Sequence, residues 1–409
     1  MGNDHSLRIL FTSNALGPRG GSELFVFDLA VALRKLGHRP VAFSTILGRV
    51  AEQLHAAGVP VIDDLSNLTV RPDIIHGHHH LELATALLRF PDTPAVHVCH
   101  GWIPWEEAPL RFPTIQKYLA VSRLTHERLV TSGIPASQTK IISNFVDTGR
   151  FRPRNRLPDR VMTAALFGNY FSKEHPHYLA IQSACLQLRF EKIDLFGISA
   201  GSSLGNPEDV IPQYDVVFAV GRSALEALAC GCAVILVDHH GLGGIVNLDN
   251  FGHLRERNFA FAATHGNRVT PARVIRELEK IDPNQVEALS KKTRAEASLS
   301  SAVEAWERIY IEAIESYASS RSSDSITLAA SAYLRKLSPI IKYRHTEWIA
   351  LQRRLNEAEQ DAAMLREKVT AMEASTSWRA TAGMRAIISS LPTSVRRQFE
   401  HAARAAWLR

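Results

Sequence analysis

Short apolar runs alternate with amphipathic stretches through residues 7–150. The runs fall at 8–13, 40–44, 59–62, 74–76, 95–99, 118–121 and 140–142, with helical spacing near 22–36 and 50–57. Strand followed by helix, repeated, predicts an α/β fold with a doubly wound parallel sheet, whose strands are covered on both faces. The basic stretch Arg150-Phe151-Arg152-Pro153-Arg154 then interrupts the pattern. The alternation resumes with runs at 161–167, 192–196, 215–219 and 234–237, helices near 178–188 and 223–230, and helices filling 284–317. Two domains of similar make, 1–150 and 151–318, place a ligand in the cleft between them.

Beyond them the pattern changes. Ser319-Ser320-Arg321-Ser322-Ser323-Asp324-Ser325 has the composition of a flexible linker, and 319–345 reads as linker and helix. Trp348, Leu351, Leu355, Ala358, Ala362, Leu365, Val369 and Met372 then recur by threes and fours among charged residues. This is a coiled-coil seam over 346–373, expected to associate chains into a homo-oligomer or to pack on another helix. With alanines in its middle it is marginal alone.

Charge sharpens the reading of the tail, 374–409. The chain of 409 residues has a formal net charge of +6. Residues 376–409 hold arginines at 379, 385, 396, 397, 404 and 409 against the single acid Glu400. Around Pro392, Ile387, Ile388, Leu391, Val395, Phe399, Trp407 and Leu408 supply apolar contacts, so the tail reads as an interfacial element for an anionic membrane, the alternative being that it folds back on acidic patches of its own domains. A surplus mostly in the tail argues against a nucleic-acid-binding fold. No run approaches the roughly 18 apolar residues of a membrane span. The start, 1–6, is polar, and Cys99, Cys185, Cys230 and Cys232 sit in apolar patterns without metal spacing. A reduced, cytoplasmic setting is expected, with the tail at the inner face of the membrane.

The most informative stretch is 221–238. Gly221-Arg222-Ser223 opens a helix with Ser223 as its N-cap, Gly231 ends it, and a buried strand follows. A helix start beside the carboxyl ends of parallel strands is an anion site, and Glu226 just inside it is suited to grip sugar hydroxyls. Together they point to a nucleotide sugar. Gly20-Gly21 permits close backbone approach to phosphate at an earlier helix start. His76, His78, His79 and His80 suggest a metal, but residues leaving a strand alternate sides and no carboxylate or cysteine accompanies them at ligand spacing. No metal site is assigned.

The first domain resembles the N-terminal half of glycosyltransferase family 4. The likeness rests on the strand 8–13, Gly20-Gly21-Ser22-Glu23, Leu36-Gly37-His38, Pro72-Asp73-Ile74-Ile75-His76-Gly77-His78, His100-Gly101, Ala120-Val121-Ser122 and Ile142-Ser143-Asn144-Phe145-Val146-Asp147. The second resembles the family's donor-binding half through Leu225-Glu226-Ala227-Leu228-Ala229-Cys230-Gly231 and Gly241-Leu242-Gly243. The resemblance covers residues 7–317 and implies the GT-B fold, two facing Rossmann-like domains, here with a C-terminal helical extension. It implies retaining, metal-independent sugar transfer from a nucleotide sugar to a glycan or lipid-linked acceptor, without a cofactor. Ala374-Ser375-Thr376-Ser377-Trp378-Arg379 resembles a segment at the ends of bacterial surface-polysaccharide transferases.

Roles follow from that resemblance. His100 contacts the reacting sugar, and Lys173 neutralises the leaving phosphate. Arg222 stands in for an absent arginine, and Glu226 accepts from the ribose. Gly20, Gly21, Gly221, Ser223, Gly241 and Gly243 approach the donor. His76 and His78 border the acceptor cleft, with Trp102 and Trp105 as a platform. Three departures stand out. Phe218 replaces a family glutamate, Asn169 follows Gly168 where arginine is usual, and the segment between Phe196 and Asp215 is short. They leave two alternatives open, a catalytically weakened scaffold and a nucleotide-sugar 2-epimerase of the same fold.

Overall fold

A computed structural model describes residues 6–17, 20–260, 264–319 and 325–391. The chain divides into two units, Met1–Tyr333 and Leu334–Arg409.

The first domain is built on β1 (Arg8–Thr12), α1 (Gly21–Lys35), β2 (Arg39–Phe43), α2 (Arg49–Ala56), β3 (Val61–Ile62), β4 (Ile74–His78), α3 (His80–Arg89), β5 (Ala95–Cys99), β6 (Ile115–Ala120), α4 (Arg123–Thr131) and β7 (Thr139–Ile141). Its seven strands are all parallel, in the order β3-β2-β1-β4-β5-β6-β7. β4 and β5 are buried along their whole length, histidines at 76, 78 and 97 included, as strands covered on both faces are. The strand order reverses between β1 and β4, the crevice where open α/β sheets bind ligands.

The second domain comprises β8 (Thr163–Phe167), α5 (Pro176–Gln187), β9 (Lys192–Phe196), α6 (Pro207–Val210), β10 (Val216–Ala219), α7 (Gly221–Cys230), β11 (Ala233–Asp238), β12 (Gly241–Ile245), α8 (Phe251–Glu256), α9 (Pro271–Leu278) and α10 (Pro283–Glu296). Its sheet runs β12-β11-β10-β8-β9, with β12 antiparallel and the reversal between β8 and β10. The glycine-rich segment 241–244, expected to close over a ligand, is instead this antiparallel edge strand.

The next helix, α11 (Leu299–Ser319), corrects the domain boundary. It follows the second domain in sequence but packs on the first sheet. Val303, Trp306, Ile309, Tyr310 and Ala313 join Ile9, Phe11, Phe25 and Leu29 in one core. Trp306 and Tyr310 are fully buried there; truncating such an aromatic costs about 3–5 kcal/mol. The chain thus crosses between domains twice, and the two crossings are hydrogen-bonded to each other. The Val146 N–H donates to the Ala297 carbonyl at 2.8 Å, and the Leu299 N–H donates to the Val146 carbonyl at 2.9 Å.

Residues Ile326–Ala374 form one helix, α12, with Pro339 inside it, so the helix expected after the linker runs without a break into the expected coiled coil; residues 320–324 of that linker lie outside the described residues. In the second unit it is followed by α13 (Thr376–Ala380) and α14 (Ala382–Ser390). Of the tail's expected membrane contacts, Ile387 is 65% exposed. Pro392, Val395, Phe399, Trp407 and Leu408, with the arginines at 396, 397, 404 and 409, lie outside the described residues. Among the described residues no helix is long and apolar enough to cross a membrane.

Candidate functional site

A cavity of about 330 Å³ opens where the two switch points face each other. Gly20, Gly21 and Leu24 line it from the first domain, and Gly168–Phe171, Val220, Arg222, Ser223, Glu226 and His239 from the second. Two helix starts converge on it, those of α1 and α7. Neither N-cap, Gly20 or Val220, makes a side-chain cap hydrogen bond. Two positive dipole ends facing one cavity suit a polyanion, with the Gly221 N–H already taken by the Phe259 carbonyl and the Glu23 carboxylate lying over the first turn of α1.

Each helix start has its own reason for glycine. A Cβ on Gly20 would run into the carboxylate of Glu23, which folds back over the first turn of α1. Burial raises the pKa of that carboxyl. Gly221 has φ of 59°, in the left-handed region, because the chain turns directly from β10 into α7. Its N–H donates to the Phe259 carbonyl at 3.1 Å. Ser223 lines the cavity but is not the N-cap: α7 starts two residues earlier, at Gly221. The connection from β10 is Val220 alone, so Phe218, where the family has a glutamate, stays inside the strand and is fully buried.

Glu226 faces the cavity with 4% exposure. Its Oε1 accepts from Arg222 Nε at 2.7 Å. Burial raises its pKa, and the Arg222 guanidinium opposes that rise. Arg222 also donates from Nη2 to Asp28, a buried acid on α1 of the opposite domain. Burial lowers the Arg222 pKa, but the two carboxylates more than offset it and hold the guanidinium charged. Asp28 takes a second arginine, Arg150, at 3.0 Å. Arg222 is therefore committed to two carboxylates rather than free to meet a phosphate. Asp28 was not singled out from sequence, yet it is the lone acid within the apolar run Phe25–Leu33.

Several expected contacts lie elsewhere. Lys173 is exposed and does not line the cavity; Asn169, Tyr170 and Phe171 of the same loop do. Gly241 and Gly243 are in β12 and do not line it, and Gly243 borders a separate hollow with Arg273, Arg276 and Lys280. Tyr170, 71% exposed, lies 4.9 Å from His239 between ring centroids at the cavity wall.

His76, His78 and His100 form a stacked column at the carboxyl edge of the first sheet. Successive centroids are 4.6 and 4.7 Å apart. His76 and His78 are two apart on β4 and share a face, which the expectation of opposed sides missed. His76 is not at a cleft: it is fully buried against Phe11 and Trp306, and its Nδ1 lies 2.5 Å from the Tyr310 hydroxyl. His78 is also fully buried, with Nδ1 2.6 Å from His100 Nε2. The His100 N–H donates to Glu107 at 2.8 Å, and burial pulls the His100 ring down to about 4. Burial raises the pKa of Glu107, but hydrogen bonds from His79 and the His100 backbone, with the charges of those histidines, outweigh it and hold the carboxyl at about 2. Neither His100 nor Trp102, 43% exposed, lines the cavity. Trp105 meets His80 edge-on at 4.4 Å. Among the described residues no group of three or more His, Cys, Asp or Glu is arranged to hold a metal.

Residues 19–150 match the family described as Glycosyltransferase Family 4. No curated protein matches the sequence of the chain. A glycosyltransferase structure from Rickettsia africae is similar in fold, with a TM-score of 0.55 at 14% identity over 76% of this chain and 99% of that one. The Anabaena HepE protein, solved with UDP and glucose, gives 0.52 at 14% identity over 74% and 99%. Its complex with UDP-glucose gives 0.51 at 16% over 76% and 100%. At these identities the likeness is one of fold. With the two facing switch points, it makes the architecture GT-B. Residues 19–150 thus carry the match to glycosyltransferase family 4, and the chain has the GT-B fold.

Proposed function

We propose that the protein transfers a sugar, with retention and without a metal, from a nucleoside-diphosphate donor to a glycan or lipid-linked acceptor in cell-surface polysaccharide synthesis. The observation that carries this reading is the convergence of two uncapped helix starts and Glu226 on one cavity. The diphosphate fits the helix starts, and the donor's ribose fits the carboxylate. In the transfer the bond from the sugar's anomeric carbon to the diphosphate oxygen breaks. A bond to the acceptor oxygen forms, and the acceptor's proton leaves with the diphosphate. Oriented N–H dipoles stabilise the charge that develops on the leaving group. The HepE complexes with UDP and with UDP-glucose support a donor of this class.

One observation favours the scaffold alternative. Arg222 is the only arginine or lysine among the described residues lining the cavity, and two carboxylates hold it. Calorimetric titration of the full chain with UDP, GDP and their sugars separates the readings. Saturable binding of one diphosphate, with slow hydrolysis of its sugar, supports the enzyme; no binding to any supports the scaffold.

The tail serves a lipid-linked acceptor by holding the protein at an anionic surface, where each basic residue contributes about 1 kcal/mol. Flotation with anionic vesicles at low salt should fall when 376–409 is removed. Equal flotation would end this part of the proposal.

A further inference from the structure

In the second unit, the apolar seam of α12 lies open. Trp348, Leu351, Leu355, Leu365, Val369 and Met372 are each 51–61% exposed. With Ala358 and Ala362 they fill alternating a and d positions, Trp348, Leu355, Ala362 and Val369 at a and Leu351, Ala358, Leu365 and Met372 at d. An apolar stripe of this length on a helix is stable only when something covers it.

The flanking charges identify the cover. On this register the g positions are Glu347, Arg354, Asp361 and Lys368, and the e positions are Gln352, Glu359, Arg366 and Glu373. In two parallel helices in register, each g side chain faces the e side chain five residues later on the other helix. The pairs are then Arg354 with Glu359, Asp361 with Arg366, and Lys368 with Glu373. All three are of opposite charge, and the remaining pair, Glu347 with Gln352, is neutral. Among the described residues none of the six charged side chains makes an ion pair within its own chain. Leu and Met at three of four d positions and Val at one a position suit two strands. We infer that α12 pairs with α12 of a second copy of this chain, parallel and in register.

The full chain tests this by sedimentation, with a protomer mass of 45.4 kDa. It should sediment as a dimer. The doubly substituted Leu355→Lys, Leu365→Lys chain should sediment as a monomer with an unchanged circular dichroism signal from the rest of the fold. Arg354→Glu should weaken self-association about ten-fold, and adding Glu359→Arg should restore it. Leu355→Cys and Val369→Cys should each cross-link to themselves on mild oxidation, since like a positions meet only in the parallel arrangement. A monomeric native chain, or a dimer that survives both lysines, overturns the inference. A dimer in which neither cysteine cross-links overturns the parallel register.

Discussion

Arg222 donates to Asp28 across the boundary between the two domains while its Nε holds Glu226 at 2.7 Å. All three side chains are nearly or fully buried, at 9%, 2% and 5% exposure. An arginine that bridges carboxylates from facing domains couples the position of Glu226 in the cavity to the closeness of the domains.

Removing the arginine strands two buried carboxylates, a loss of about 3–5 kcal/mol for a broken buried pair. Arg222→Ala should therefore lower unfolding stability by an amount of that order in urea titration. Asp28→Asn, which keeps the shape and leaves Arg222 its bond to Glu226, should lower it less. Equal stability of the native and Arg222→Ala proteins would show that the bridge contributes nothing.

Glu226→Ala should weaken nucleotide-sugar binding by about 1.5–3 kcal/mol, the range for a charge-assisted hydrogen bond. Glu226→Gln separates binding from architecture, because it can still accept from Arg222. Calorimetric affinities that match the native protein for both variants would remove Glu226 from the donor site.

Acid should destabilise the first domain. Burial lowers the pKa of His76 and His78 well below 6.5, of His97 to about 3 and of His100 to about 4. A histidine depressed in this way stays neutral in the folded chain while the unfolded chain takes up its proton. Stability is full above pH 6.5 and falls as pH drops toward the folded value, by about 3 kcal/mol at pH 4 for His100 by itself. Glu107, held at about 2 against 4.5, adds a loss that begins below pH 4.5. His79 opposes these: burial lowers it, but the Glu107 carboxylate raises it above 6.5, so its contribution is present at low pH. Melting temperature measured from pH 8 to pH 4 should fall steadily below pH 6.5. A flat profile would contradict the burial of the column.

Activity should survive EDTA, because the proposed site meets the diphosphate with helix N-termini rather than with a metal ion. Transfer assayed before and after chelation checks it. Loss on EDTA with recovery on Mn²⁺ or Mg²⁺ would overturn the metal-independent reading.

The alternation of strand and helix was legible because short apolar runs recur between helical stretches: 95–99, buried throughout, and the edge strand 192–196 are strands with those bounds. What was not legible depends on distant residues. Nothing local distinguishes α11 from a helix of the second domain; its place is set by Trp306 and Tyr310 meeting Phe11 and His76 far back in the chain, the Tyr310–His76 separation being 234 residues. The segment 241–244 reads as a turn, since glycine carries no strand signal, and it is a strand only because Asp238 and its neighbours pair with it. Glu226 was legible at the site from its helix alone. That Arg222 would turn to Asp28 was not, because the partner belongs to the other domain.

The two hydrogen-bonded crossings at Val146 and Ser298 make the second domain an insert held at both ends by a single doubled thread. Residues 151–297 are therefore a cassette whose two ends emerge side by side. Exchanged as one piece, that cassette would carry one wall of the cleft with it and leave the seat of α11 on the first sheet where it was.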